Sequence, residues 1–252
     1  MNQSSLGNIT TLAKRELKGY FASPVAYVFI VIFLLLVGFF TFMLGNAPFF
    51  KLGQASLDSF FKWHPWVFLF LVPAIGMRVW SEERRLGTIE LLLTMPITAW
   101  QAIVGKFLAS WAFLLLTLIC TFPIIMTVNY LGKPDNGVIF GAYVGSFLMA
   151  GSYLAISCMT SAITRNQVIS FILSCVICFL LILCGYPPVT EFLTTLGVSQ
   201  SLIETIASLS FMTHFDAFQK GILDFRDLVF FFSVIGFSLF TTGVILRSHR
   251  AG

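Results

Sequence analysis

Few residues in this chain are of the types that carry out chemistry, and most of those lie where chemistry is difficult. Cys120, Cys158, Cys175, Cys178 and Cys184 all fall inside apolar runs, where a thiol behaves as a small hydrophobic group. Cys175 and Cys178 have the CxxC spacing that can hold a metal or cycle between thiol and disulfide. No histidine or carboxylate lies near them in sequence, so packing is the expected role, with no metal site and no disulfide framework. His214 stands among aromatic residues and reads as a hydrogen-bonded interfacial histidine rather than a ligand or a proton relay. HExxH and paired-aspartate patterns are missing from the apolar runs, and GxxxxGK[ST] is missing altogether. The chain therefore has no phosphate-binding loop of its own and is not expected to be an enzyme; energy for uphill movement would have to come from another polypeptide. The densest charge lies in residues 78–106, RVWSEERRLGTIELLLTMPITAWQAIVGK, which offers ion pairing and docking rather than bond-making.

The elements that must position this segment follow from composition. Of 252 residues, 58% are hydrophobic and 10% charged, against about 45–50% and about 25% in soluble domains. Six stretches carry no charge: Gly19 to Phe50, Trp63 to Met77, Phe107 to Gly132, Asn136 to Thr164, Asn166 to Thr190 and Leu228 to Leu246. They cover more than half the chain, and apolar runs near 20 residues are accepted by a bilayer as helices. The expected fold is an all-α polytopic membrane protein with six transmembrane helices, residues 1–252 forming a single transmembrane domain. Asn136 to Thr190 as one helix would run about 80 Å, so it must break at Arg165, the one charge within it. The second run is the shortest, and Lys62 and Arg78 can extend it by turning their charged ends toward the headgroups. Met1 to Tyr20 lacks the apolar core of a cleaved signal peptide.

With six spans and both termini on one side, ten Lys and Arg and four acids lie on that side, against five and seven on the other. The positive-inside rule then places both termini in the cytoplasm. The net charge of +4 arises from this asymmetry, and nucleic acid is not an expected partner.

Local signals fill in the connections. Ile9, Leu12, Ala13, Leu17, Tyr20 and Phe21 recur at helical spacing, with Lys14, Arg15 and Lys18 largely opposite, predicting an interfacial helix over residues 1–22. Ser23 and Pro24 predict the N-cap and first turn of the first span. In the cytoplasmic segment 78–106, Glu82 and Glu83 favour a helix beginning near Ser81. Gly87 interrupts it, Thr88 caps a second short helix through Glu90, and Met95-Pro96 ends that helix. Thr98 and Gln101 form a capping box for the third span. On the opposite side, residues 187–227 carry Pro187-Pro188, a second expected capping box at Ser201 and Glu204, and a stripe of Phe211, Met212, Phe215 and Phe218. Asp224 or Asp227 is expected to cap the sixth span.

The elbow Met77-Arg78, Glu82-Glu83-Arg84, Gly87-Thr88-Ile89-Glu90-Leu91-Leu92, Thr94, Pro96 and Gly105-Lys106 resembles the signature of ABC-2-type transporter permeases, in particular the gliding-motility-type subgroup. Arg15-Glu16-Leu17-Lys18 with Tyr20-Phe21 and Ser23-Pro24 resembles the N-terminal pattern of that subgroup. Leu209-Ser210, His214-Phe215, Phe218, Gly221, Asp224 and Arg226-Asp227 resemble its late pattern. The resemblance implies a permease subunit of an ATP-driven exporter in the bacterial inner membrane. It would pair with a second permease, identical or different, and dock a separate ATP-binding subunit on its cytoplasmic side. An extracytoplasmic or membrane accessory protein is a further partner class it leaves room for. ATP and Mg would reside in the ATPase, with no cofactor in this chain. The elbow would be the coupling helix, with Glu82, Glu83, Arg84, Gly87, Thr88 and Glu90 as its ATPase-docking residues. The alternative is a non-transporting scaffold or regulatory subunit of an ATPase-containing complex. A secondary carrier is disfavoured, because the spans contain none of the buried acids or bases that proton coupling uses.

Overall fold

A computed structural model describes residues 5–43, 49, 55–88 and 98–248. Among these residues all regular structure is helical. The amphipathic helix α1 (Ser5–Ala22) is followed by α2 (Pro24–Phe42). Ser23 caps the corner between them, its hydroxyl accepting from Val25 N at 3.3 Å, with Pro24 in the first turn, as the sequence predicts. Then come α3 (Asp58–Phe61), α4 (His64–Gly76) and α5 (Arg78–Leu86), followed by α6 (Ala99–Ile119), α7 (Phe122–Leu131) and α8 (Asn136–Ile163). The chain closes with α9 (Gln167–Leu183), α10 (Pro187–Thr195), α11 (Gln200–Ala207), α12 (Phe211–Gln219) and α13 (Phe225–Ser248).

Five helical runs are long and apolar enough to cross a bilayer: Pro24–Phe42, Asp58–Leu86, Ala99–Leu131, Asn136–Ile163 and Phe225–Ser248. The pair α9 and α10, bent by 64°, makes a sixth if counted as one span. The second run is thus not the short one that its uncharged stretch indicates. It continues through Arg78 into the elbow, because Met77 between α4 and α5 keeps helical dihedrals (φ −57°, ψ −27°).

α8 is the hub, with 78% of its most apolar window buried, against 28% for α2 and 33% for α13. Its sequence NGVIFGAYVGSFLMAGSYLAISCMTSAI places small residues on nearly every face, so neighbouring helices approach closely. A Cβ on Gly76 of α4 would lie 2.2 Å from Ser157 Cβ, and one on Gly151 would lie 2.7 Å from Trp111 Nε1. The Trp111 indole donates to Phe147 O at 3.0 Å. α4, α6, α9, α12 and α13 all pack around α8. After Thr164 the chain turns, and Asn166 caps α9 by accepting from Val168 N at 2.9 Å, which realises the break expected at Arg165.

At the end of the bundle where α11 and α12 lie, one expectation is corrected. Ser201 and Glu204 form no capping box: the helix begins earlier, at Gln200 after the extended Ser199, and Glu204 Oε1 instead accepts from Gln200 Nε2 at 3.2 Å. Of the two proposed caps for α13, Asp224 serves, accepting from Arg226 N at 3.0 Å. Asp227 turns to His214, with Oδ1 2.6 Å from Nδ1, while His214 Nε2 lies 2.9 Å from Ser208 O. A carbonyl only accepts, so Nε2 carries hydrogen and a proton bridges Nδ1 and Asp227. His214 is therefore hydrogen-bonded through both nitrogens, as its aromatic setting indicated. Asp227→Asn can donate to a neutral Nδ1 and should change stability by less than about 1 kcal/mol, whereas Asp227→Leu leaves a buried nitrogen unpaired at about 1–3 kcal/mol. Thermal unfolding of the two purified variants checks this difference.

Candidate functional site

The polar centre of the molecule is built by α1, α5, α6 and the end of α8. α6 starts at the capping box expected from sequence: Thr98 Oγ1 accepts from Gln101 N at 3.3 Å and Gln101 Oε1 accepts from Thr98 N at 3.0 Å. Two turns on, Gly105 admits α1, since a Cβ there would lie 2.9 Å from Leu12 Cδ2. From that contact the two helices run side by side, with partners four residues apart along α1. Glu16 follows Leu12 and faces Lys106; Tyr20 follows Glu16 and faces Ser110, their hydroxyls 2.8 Å apart. Tyr20 also stacks on Phe113 with ring centroids 5.3 Å apart. Burial pushes the Tyr20 phenol up to about 12, so this contact is between neutral hydroxyls. The apolar stripe of α1 is thus taken up by a helix running alongside it.

Lys106 is only 7% exposed and ties three helices together. Its ammonium lies 2.8 Å from Glu83 Oε1 on α5 and 3.5 Å from Glu16 Oε2 on α1, and 5.6 Å from the centroid of the Trp80 ring. A buried ammonium requires such partners, and a ring face adds cation–π attraction.

α5 is held to α8 as well. Ser161 Oγ accepts from Trp80 N at 2.9 Å and Ser81 N at 3.0 Å, and donates to Met77 O at 3.1 Å. A hydroxyl from a distant helix thereby satisfies first-turn N–H groups that α5 cannot pair internally. One turn on, the Arg84 guanidinium donates to Ala162 O, in the last turn of α8, where carbonyls lack helical partners and positive charge is favoured.

These contacts correct the expected start of the elbow helix. It begins at Arg78, and Ser81 lies inside it with its hydroxyl donating to Met77 O. The acidic pair therefore sits in the middle of α5 rather than in its first turn. Among the residues expected to dock a partner, Glu83 and Arg84 point into the bundle, to Lys106 and Ala162. Glu82 is half-buried, and Gly87 and Thr88 are exposed together with Arg85 and Leu86. Gly87 ends α5 in the left-handed conformation (φ 72°), its N–H bonded to Glu83 O, and no described residue crowds it. The glycine is therefore required by backbone geometry rather than by packing. Glu90 and the expected second short helix through Met95-Pro96 lie outside the described residues. Lys106 was visible in the sequence only as part of a motif. Glu16 and Ser161 carried no signal of their role, because each acts on residues far away in the chain.

Among the described residues no group of three or more histidine, cysteine or acidic side chains is placed to hold a metal ion. Cys175 Sγ donates to Leu69 O at 3.3 Å, Cys178 is fully buried, and all five cysteines are free.

Membrane-length helices gathered on a small-residue hub, with an ion-paired elbow at one end, define a multi-pass α-helical membrane protein whose charged residues link helices. Such an arrangement suits a transport component. The family model for ABC-2 family transporter proteins matches residues 10–246, and the chain belongs to that family. It is accordingly the permease component of an ABC-type transporter, a class that works with an ABC ATPase subunit. Comparison with curated proteins gives no match.

Proposed function

We propose that this chain is the transmembrane half of an ATP-driven exporter in the bacterial inner membrane, with both termini cytoplasmic and α5 acting as the coupling helix. The observation that carries the reading is the division of α5 into two parts. Glu83, Arg84 and the backbone at Trp80 and Ser81 are committed to α6 and α8, while Arg85, Leu86, Gly87 and Thr88 are exposed at its tip. A helix held this way passes displacement of its exposed tip to the third and fourth spans as a rigid unit. The motifs around the elbow and the late His214-Phe215 pattern support the gliding-motility-type subgroup. The positive side of the charge distribution coincides with the Glu83 end, which supports a cytoplasmic elbow. ATP and Mg belong to the ATP-binding subunit, and a second permease, the same chain or a different one, completes the pathway.

Co-purification with the ATP-binding subunit tests the docking surface. Gly87→Trp places a side chain at a left-handed position, at roughly 1–2 kcal/mol of local strain, and Arg85→Glu reverses an exposed charge. Each should reduce the recovered ATPase while membrane insertion is unchanged. Undiminished recovery in both would overturn the assignment of the tip.

A further inference from the structure

Beside the elbow lies a cavity of about 600 Å³. One end is polar: Glu16 and Tyr20 of α1, and Arg78, Glu82 and Glu83 of α5, with Lys106 beside them. The other end is apolar, formed by Ala26 and Phe29 of α2, Ala74 and Ile75 of α4, and Phe113 of α6. Exposed Gly19, Val25 and Arg78 belong to its lining and so mark its mouth. The cavity thus spans the boundary at which α2 enters and α4 leaves the apolar region, the level of lipid headgroups.

Its polar groups are unevenly satisfied. Lys106 is fully engaged by Glu83 Oε1, Glu16 and Trp80. Glu83 Oε2 has no hydrogen-bond partner among the described residues, and it has no surface open to the cavity. Among the described residues, neither Arg78 nor Glu82 has an ion-pair partner. The Glu82 carboxylate, which has no such partner, favours an N–H donor. A guanidinium at the mouth favours a phosphate oxygen. An apolar floor favours hydrocarbon. One molecule that meets all three needs is an amphiphile with both an ammonium and a phosphodiester in its head.

We propose that this cavity binds the head and upper chains of a membrane phospholipid bearing a primary ammonium, of the phosphatidylethanolamine class. Its ammonium pairs with the Glu82 carboxylate, its phosphodiester meets Arg78, and its chains run over Ala26, Phe29 and Phe113. A choline head cannot donate a hydrogen bond to Glu82. An anionic glycerol head would bring its charge among three glutamates without a cation to offer them. The inference does not rest on the transport reading, since binding involves this chain alone. Because the lipid would touch both α1 and α5, its occupancy would reinforce the contact that Lys106 makes between them.

The test uses the full chain purified in detergent, with bound lipid counted by native mass spectrometry. Phosphatidylethanolamine, phosphatidylcholine, phosphatidylglycerol and a long-chain primary amine are titrated separately. One phosphatidylethanolamine per chain is expected, held about tenfold more tightly than each of the others, the loss expected when a charge-assisted hydrogen bond is missing. Arg78→Gln should weaken phosphatidylethanolamine about tenfold and leave the amine unaffected, and Ala74→Phe should exclude both by filling the floor. Arg78 is exposed and has no ion-pair partner among the described residues, so that variant decides the matter even if Ala74→Phe elutes aggregated. Equal retention of the three phospholipids, no retained lipid, or binding unchanged in Arg78→Gln would each overturn the proposal.

Discussion

Lys106→Met is expected to destabilise the protein by about 3 kcal/mol and to abolish stimulation of the partner ATPase. Removing one member of a buried ion pair costs about 3–5 kcal/mol, because the remaining charge is left without compensation; partial exposure of both glutamates brings the value toward the lower limit. Glu83 and Glu16 would then face one another across the space that the ammonium occupied, and α5 would lose its tie to α1 and α6. Combining Lys106→Met with Glu83→Gln should recover most of the stability, since the more tightly held carboxylate becomes neutral. It should not restore ATPase stimulation if the ion pair transmits displacement. Thermal unfolding of the purified chain and ATP hydrolysis by the assembled complex separate the two effects. Equal recovery of both in the double variant would show that Lys106 contributes stability alone.

Ser161→Ala should have the second-largest effect and a different profile. It strips the acceptor from Trp80 N–H and Ser81 N–H, both inside the bundle, and each buried donor left unsatisfied costs about 1–3 kcal/mol. The tip of α5 is untouched, so the ATP-binding subunit should still co-purify. What should fall is the response of the fourth span to nucleotide, read as loss of transport-linked ATP hydrolysis in reconstituted complex. Lost ATPase binding in this variant would mean that Ser161 shapes the docking surface itself, contrary to the division of α5 described above.

What could be read from the sequence, and what could not, divides by range of interaction. Ser23-Pro24, Thr98 with Gln101, and the break at Arg165 were legible because a cap is settled within about four residues. The spans were legible because charge is excluded from apolar surroundings. The start of α5 was misplaced because the acidic pair favoured a first turn at Ser81. In the structure, Met77 stays helical and Ser161, a distant residue on α8, supplies the acceptor that local capping would have provided. Glu83 looked available for a partner because an elbow rich in charge resembles a solvated face. Its commitment to Lys106 depends on α1 and α6 meeting at Leu12 and Gly105, which no local pattern encodes. Ser201 and Glu204 had the spacing of a capping box, yet Ser199 was equally able to precede a first turn, and the helix begins directly after it.

The central claim, that the exposed tip of α5 meets the ATP-binding subunit, is tested most directly by photo-crosslinking in native membranes. A photoreactive residue is placed at Thr88 on the tip and, separately, at the exposed Lys220 after α12. A crosslink to the ATP-binding subunit from Thr88 and none from Lys220 is the expected result. A crosslink from Lys220, or none from Thr88 in a complex that hydrolyses ATP, would contradict the account.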